Sequence, residues 1–322
     1  MIIVTGGSGF IGSAFVWKLN SEGIDDVLIV DELGRAEKWK NLVGRTFIDY
    51  IHKDEFIDIL CNNKFRNVSA IIHMGACSST TELDADYLMN NNYRYTMTLA
   101  KWAIERNVRF IYASSAATYG DGSLGFSDDE SIVKKFRPLN IYGYSKHIFD
   151  VWAIRNRVID KISGIKFFNV FGPNEYHKED MVSIVYRAFH QIIKTGKVFL
   201  FKSQREEYND GEQMRDFIYI KDCVDVIWWL LQNNNVNGIF NLGTGRARTW
   251  NDIIGATFSA MGYEAKIEYI DMPESLGDRY QYFTEAKMEK IHNKGCIFDF
   301  RSLEESVYDY IGNYLLKKNS FL

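Results

Sequence analysis

Proline is scarce, with 3 residues among 322, and the 4 cysteines (Cys61, Cys77, Cys223 and Cys296) lie far apart with no CxxC pair. The shortage of proline, with no glycine- and serine-rich tract in its place, excludes a stiff or flexible linker and predicts one compact body. Scattered cysteines exclude a disulfide framework and a zinc site. Reduced thiols in the cytoplasm and no bound metal are the expectation. No apolar run approaches the roughly 20 residues that cross a bilayer, and the densest, Val224 to Leu231, contains Asp225. Positive charge is also short, with 38 Lys and Arg against 42 Asp and Glu. That balance argues against nucleic acid and membrane partners, so local cations and backbone amides must meet any ligand phosphates. There is no internal repeat, and the first residues read as a strand instead of a leader peptide.

What is present is concentrated in the first twelve residues. Ile2, Ile3 and Val4 form a β-branched apolar run, the pattern of a buried parallel strand. Gly6, Gly9 and Gly12 follow at three-residue spacing, and a helical pattern runs from Ser13 to Glu22 before Gly23. Glycines there permit a tight turn, a close approach of pyrophosphate and tight packing of helix on strand, while the helix N-terminus offers free N–H groups. A second strand, Val27 to Val30, ends at Asp31, 19 residues after Gly12, where a carboxylate can hold the adenosine ribose. Asp31 by itself favours NAD. Arg35, Lys38 and Lys53 supply the opposite charge and make NADP acceptable, so charge does not choose between the two.

Strands and helices alternate through the first half, which predicts an α/β fold, a Rossmann-type doubly wound parallel sheet. The strand Val68 to His73 leads into Met74-Gly75-Ala76-Cys77-Ser78, small residues that leave room for a ligand, with His73 expected buried. One amide of Asn90-Asn91-Asn92, in the helix that follows, is placed to meet the cofactor. The strand Arg109 to Ala113 ends at Ser114-Ser115, and Tyr142 and Lys146 sit four apart on a helix running to about Asn156. An ammonium beside a phenol favours phenolate, and Ser115 can bond the same substrate oxygen. Ile165 to Val170 reads as a strand, and a helix is expected from near Asp180. Arg215 has the rigid donor fork suited to a diphosphate or to an ion pair with Asp216.

Thr5 to Gly12, Ser115 and the Tyr142–Lys146 motif resemble the extended short-chain dehydrogenase/reductase family. More narrowly, Gly75 to Glu82 (GACSSTTE), Ser114 to Gly120 (SSAATYG), Tyr142 to Lys146 (YGYSK) and Asn241 to Arg246 (NLGTGR) resemble the ADP-heptose 6-epimerase branch of its nucleotide-sugar epimerases. The resemblance implies an isomerase that oxidises C6 of an ADP-linked heptose to a ketone and reduces it again with a bound nicotinamide cofactor, NADP with NAD possible. It implies catalytic roles for Tyr142, Lys178, Lys146 and Ser115. To the cofactor it assigns Gly6, Gly9, Phe10, Ile11, Gly12, Asp31, Glu32, Lys38, Lys53, Met74, Gly75, Ala76, Cys77, Ser78, Asn91, Lys146, Val170 and Lys178. To the substrate it assigns Ser115, Asn169, Asp180, Arg187, Phe201, Arg215 and Tyr280. It also implies a homo-oligomer, a pentamer in this branch, and a dinucleotide lobe of residues 1–170 and about 214–245 interleaved with a substrate lobe of about 171–213 and 246–322. The sequence departs from the branch at Glu179-Asp180, usually Gly-Ser, at Arg187, usually His, and in a long acidic loop, Ser203 to Gln213. These departures leave open a 4-epimerase or a heptose on another nucleotide. A 4,6-dehydratase is disfavoured because Ala116-Ala117 stands where that chemistry places an Asp-Glu pair. A silent dinucleotide sensor is disfavoured because the Tyr/Lys pair is retained.

Overall fold

A computed structural model describes residues 1–62, 65, 67–273, 280–317 and 320–322. Among these, seven strands form one parallel sheet in the order β10-β6-β5-β4-β1-β2-β3. The strands are β1 (Ile2–Thr5), β2 (Val27–Asp31), β3 (Asp49–His52), β4 (Ala70–His73), β5 (Arg109–Ser115), β6 (Ser163–Phe167) and β10 (Gly238–Leu242). Every residue of β1, β2 and β4 is buried, as a parallel sheet covered on both faces requires. Among the covering helices are α1 (Phe10–Ser21), α2 (Lys53–Cys61), α4 (Tyr95–Glu105), α5 (Ile141–Arg155) and α7 (Ile220–Gln232). The short α3 (Ala85–Leu88) enters α4 through a π-helical turn, Met89–Arg94.

The strand order reverses between β1 and β4, and a crevice opens there beyond the strands' carboxyl ends. Two glycines make the turn after β1 possible. Gly6 has φ 66°, and a Cβ on it would lie 2.6 Å from the Gly75 nitrogen. A Cβ on Gly12 would lie 2.0 Å from the Gly6 carbonyl oxygen, so α1 can press on the turn only without a side chain there.

The expected strand Ile165 to Val170 is two strands. After β6 the chain turns sharply, with Val170 N–H donating to the Phe168 carbonyl at 3.0 Å. β7 (Asn169–Phe171) then leaves the large sheet and pairs with β9 (Met214–Tyr219), which pairs in turn with β11 (Ala247–Thr249). β8 (Val198–Phe201) and β12 (Ile267–Ile270) form a separate parallel pair. The helix expected from Asp180 also starts later. Glu179 takes φ 47°, which breaks helical geometry, and α6 (Ile184–Thr195) begins after Ser183, whose hydroxyl caps Tyr186 N–H at 3.3 Å. After β12, α8 (Trp250–Met261) having preceded it, come α9 (Glu289–His292), α10 (Leu303–Tyr310) and a π-helical turn, Ile311–Leu315.

Directly behind β5 lies an ion pair with no solvent exposure on either side, Lys166 on β6 with Asp150 on α5 at 2.6 Å. Tyr112 and Ser114 of β5 donate to the same carboxylate at 2.8 Å each, and Lys166 also donates to Thr118 at 2.6 Å. The pair thus joins β5, β6 and α5. Lys166→Met leaves the Asp150 charge buried and unpaired, a loss predicted at about 3–5 kcal/mol. Urea unfolding checks it, and Asp150→Asn/Lys166→Met should recover at least half of the loss. A double variant as unstable as the single one would show that the stranded charge is not the cause.

Candidate active site

The crevice at the strand reversal is a cavity of about 800 Å³. Its floor is the turn after β1 with Gly6, Gly9, Phe10, Ile11 and Gly12, beside Met74 to Ser78 after β4. His73, just below, is buried between Thr5 and Thr96 hydroxyls at 2.6 and 2.8 Å, and burial holds it neutral. Asp31 ends β2 at the crevice edge, but its carboxylate is already engaged. It accepts from Ser8 N–H at 2.9 Å, from the Ser8 hydroxyl at 2.5 Å and from the Lys38 ammonium at 2.5 Å. Next to it Lys53 pairs with Glu32 at 2.7 Å and donates to Asn91 at 2.9 Å. Two lysines therefore offset two carboxylates at one end of the crevice.

The motif on α5 begins after Asn140, whose side chain caps Gly143 N–H at 2.8 Å. Tyr142 and Ser115 both line the cavity wall, and Lys146 donates to the Ala113 carbonyl at 2.8 Å. The sequence predicts a tyrosine acidified by Lys146; the structure corrects this. Burial raises the phenol and Ser115 pulls it down, while the Lys146 nitrogen is turned to the Ala113 carbonyl of β5. Burial lowers Lys146 itself to about 8.

Lys178 reaches the cavity from a different element, the 3₁₀ turn Tyr176–Met181. Its ammonium lies over the Phe10 ring, 5.0 Å from the centroid, and burial lowers its proton affinity. His177 beside it falls to about 4 through burial and the nearby Lys38 and Lys178 charges, so it is a neutral imidazole. It accepts through Nδ1 from the Asn41 amide at 3.3 Å. Asn169, Val170 and Asp180 also line the cavity.

Four of the residues expected at the substrate stand apart from this lining. Arg187 is exposed and turned to the Asp180 carbonyl. Phe201 ends β8, half-buried. Arg215 is buried, its guanidinium 5.6 Å from the Trp250 ring centroid and 5.3 Å from that of Tyr280. It donates to the Met214 and Gln281 carbonyls, and the expected alternative of a pair with Asp216 is not what forms. Asp216 instead accepts from Thr244, Gly245 and Ala286. Tyr280 lines a neighbouring cavity of about 130 Å³.

Sequence reasoning missed Asn92, Asn41 and Trp250. Asn92 exchanges two 2.9 Å hydrogen bonds with the Cys77 backbone and so fixes the segment after β4. Its signal was the three-asparagine run, from which the neighbouring Asn91 was chosen. Asn41 carried no signal, because its partners are distant in sequence.

The family model described as NAD dependent epimerase/dehydratase family matches residues 2–243. The chain belongs to that family. It is 57% identical over 323 residues, the full length of both chains, to a curated Nitratidesulfovibrio vulgaris (strain DP4) protein named ADP-L-glycero-D-manno-heptose-6-epimerase. A Fusobacterium nucleatum protein of the same name is 50% identical, again over both full lengths. Among solved structures, the Helicobacter pylori ADP-L-glycero-D-manno-heptose-6-epimerase superposes with a TM-score of 0.83 at 26% identity, covering 97% of this chain and 95% of its own. As a member of the NAD dependent epimerase/dehydratase family the chain takes a nicotinamide cofactor. The side-chain-free floor at Gly6 and Gly75, and the α1 N-terminus above it, fit a dinucleotide's pyrophosphate.

Lys146 also makes a testable mark on stability. Its folded value of about 8 lies below the ordinary 10.5, so between those values the unfolded chain binds more protons and stability rises with pH. In nucleotide-free protein, Lys146→Met is predicted to be more stable than wild type near neutral pH. That advantage should shrink as pH passes from about 8 to about 10.5. Denaturation midpoints of the two proteins across this range check it, and a pH-independent difference would contradict it.

Proposed function

We propose that the chain inverts C6 of the heptose in ADP-D-glycero-D-manno-heptose, yielding the L-glycero epimer for the lipopolysaccharide inner core. The observation that carries this reading is the arrival of two proton-handling groups from separate elements at one cavity. Tyr142 comes with Ser115 from α5 and β5, and Lys178 comes from the turn before α6. An inversion needs such a pair, because the C6 oxygen points to different sides in the two half-reactions. Full-length relatives at 57% and 50% identity carry the corresponding name.

Gly6, Gly9, Phe10, Ile11, Gly12, Asp31, Glu32, Met74 to Ser78, Asn91, Val170 and Lys146 hold the cofactor, which when bound takes a hydride from C6 and gives it back. One of Tyr142 and Lys178 removes the C6 hydroxyl proton, and the other protonates the oxygen of the opposite configuration. Ser115 steadies that oxygen through its hydroxyl, and Lys146 orients the ribose. Burial of Lys178 makes its neutral, basic form easier to reach. Asn169 and Asp180 contact the nucleotide sugar from the cavity wall, and Arg187, Phe201 and Tyr280 meet its nucleotide part beyond that wall. Arg215, braced between Trp250 and Tyr280 and free of any carboxylate partner in its described bonds, meets the diphosphate.

The cofactor is NADP. Lys38 on Asp31 and Lys53 on Glu32 leave the end of β2 without the bare negative charge that would repel a 2′-phosphate. Residues 1–170 and about 214–245 make up the dinucleotide lobe, and about 171–213 and 246–322 the substrate lobe. The working form is a cytoplasmic homo-oligomer, a pentamer by the family resemblance.

Proton NMR of ADP-D-glycero-D-manno-heptose incubated with the purified protein and no added cofactor tests the reading. It predicts conversion to the L-glycero epimer, with NADP released on denaturation. Tyr142→Phe and Lys178→Met should each lose about 10²–10⁴-fold in turnover while remaining folded. Absence of conversion by NADP-loaded protein would overturn the substrate assignment, and near-normal turnover in either variant would remove that residue from the mechanism.

A further inference from the structure

Glu175 is fully buried, and each group donating to its carboxylate is neutral. Ser183 donates from its N–H at 2.5 Å and its hydroxyl at 2.6 Å, Tyr310 of α10 at 3.0 Å, and Gly172 N–H at 3.4 Å. Glu175 also starts the turn that carries Lys178, whose N–H donates to the Glu175 carbonyl at 3.0 Å. The turn is bracketed by two non-glycine residues in left-handed backbone, Asn174 at φ 78° and Glu179 at φ 47°. Such backbone is unfavourable and persists only where its surroundings hold it. On the near side Asn174 donates to the Ser13 hydroxyl at 3.0 Å, and its carbonyl accepts from Asn41 at 3.1 Å. On the far side the Glu175 carboxylate reaches across the turn to Ser183, the cap of α6. Within this frame burial disfavours the charged form of both Glu175 and Lys178, and each charge favours the other.

We propose that Glu175 is the positioning residue of Lys178: its buried carboxylate ties the strained turn that carries the lysine to the cap of α6 and places a negative charge three residues from it. The proposal rests on the reading of Lys178 as a proton-handling group. The other ionisable groups around the pair are Tyr176, Tyr310 and Tyr186 about Glu175, and His177 with Lys38 beyond it on the side of Lys178. Glu179 and Asp180 are exposed within the turn.

Glu175→Gln keeps the shape and removes the charge; Glu175→Asp keeps the charge on a shorter arm. With epimer interconversion as the assay, folded Glu175→Gln is predicted to lose about tenfold or more in kcat with little change in KM. The acid limb of its kcat profile, where the amine gives up its proton, should move to lower pH by about half a unit or more, since the opposing charge is gone. Glu175→Asp should leave that limb in place. A merely structural role would change stability and leave the limb unmoved. Folded Glu175→Gln with the wild-type kcat and limb overturns the proposal. Should Glu175→Gln not fold, Ser183→Ala cuts the tie across the turn and is predicted to lower kcat with the limb unmoved; a wild-type kcat there overturns the proposal as well. Lys178→Met separates the two readings. If it is inactive while Glu175→Gln is normal, only the positioning role fails, whereas a fully active Lys178→Met removes the reading on which it rests.

Discussion

The ligand face depends on how closely backbone can approach backbone at the end of β1. Gly6 lies against Gly75, and α1 lies on the Gly6 carbonyl through Gly12, at separations that no side chain survives. This packing brings the α1 N-terminus over the crevice between β1 and β4, where the strand order reverses and two neighbouring connections diverge to opposite faces. A side chain at Gly12 would lift α1 from the turn, and one at Gly6 would push away the segment after β4. Phe10 would shift with α1, and Lys178 lies over the Phe10 ring. The floor of the site and one of its walls are thus set by the same contact.

The rest of the site is held by polar side chains that bridge segments remote in sequence. Asn41 donates to the Ser8 carbonyl in the glycine turn and to the Asn174 carbonyl in the segment before Lys178. Asn92 holds the backbone of Cys77 and donates to Ser145 on α5, so the segment after β4 is fastened to the helix of Tyr142. Asp216 gathers the turn at Thr244 and Gly245 beneath Arg215, which leaves the guanidinium to its aromatic neighbours. Each bridge is buried or half-buried, where an unmade hydrogen bond is expensive, so these few contacts give the loops a defined shape.

The sheet, the glycine turn and the Tyr142–Lys146 spacing were legible because their signals are local. Apolar runs mark β1, β2 and β4, and a four-residue step fixes one helical face. The start of α6 was not legible, since Asp180 and Ser183 are both good caps and the choice was made by Glu179 adopting left-handed backbone. The break at Phe168 was hidden inside a strand-like stretch, Ile165 to Val170, with no glycine or proline to mark it. It is decided by β7 finding β9, a partner more than forty residues on. The acidity of Tyr142 was misjudged for a related reason: sequence spacing says that Lys146 shares its face, but not that the amine bonds to Ala113.

In the proposed reaction Tyr142 and Lys178 serve opposite configurations at one carbon. Crystal structures of Tyr142→Phe with cofactor and each ADP-heptose epimer in turn test it most directly. The C6 oxygen is expected within hydrogen-bond reach of Lys178 in one epimer and turned towards position 142 in the other. The same residue nearest the C6 oxygen in both epimers would contradict it.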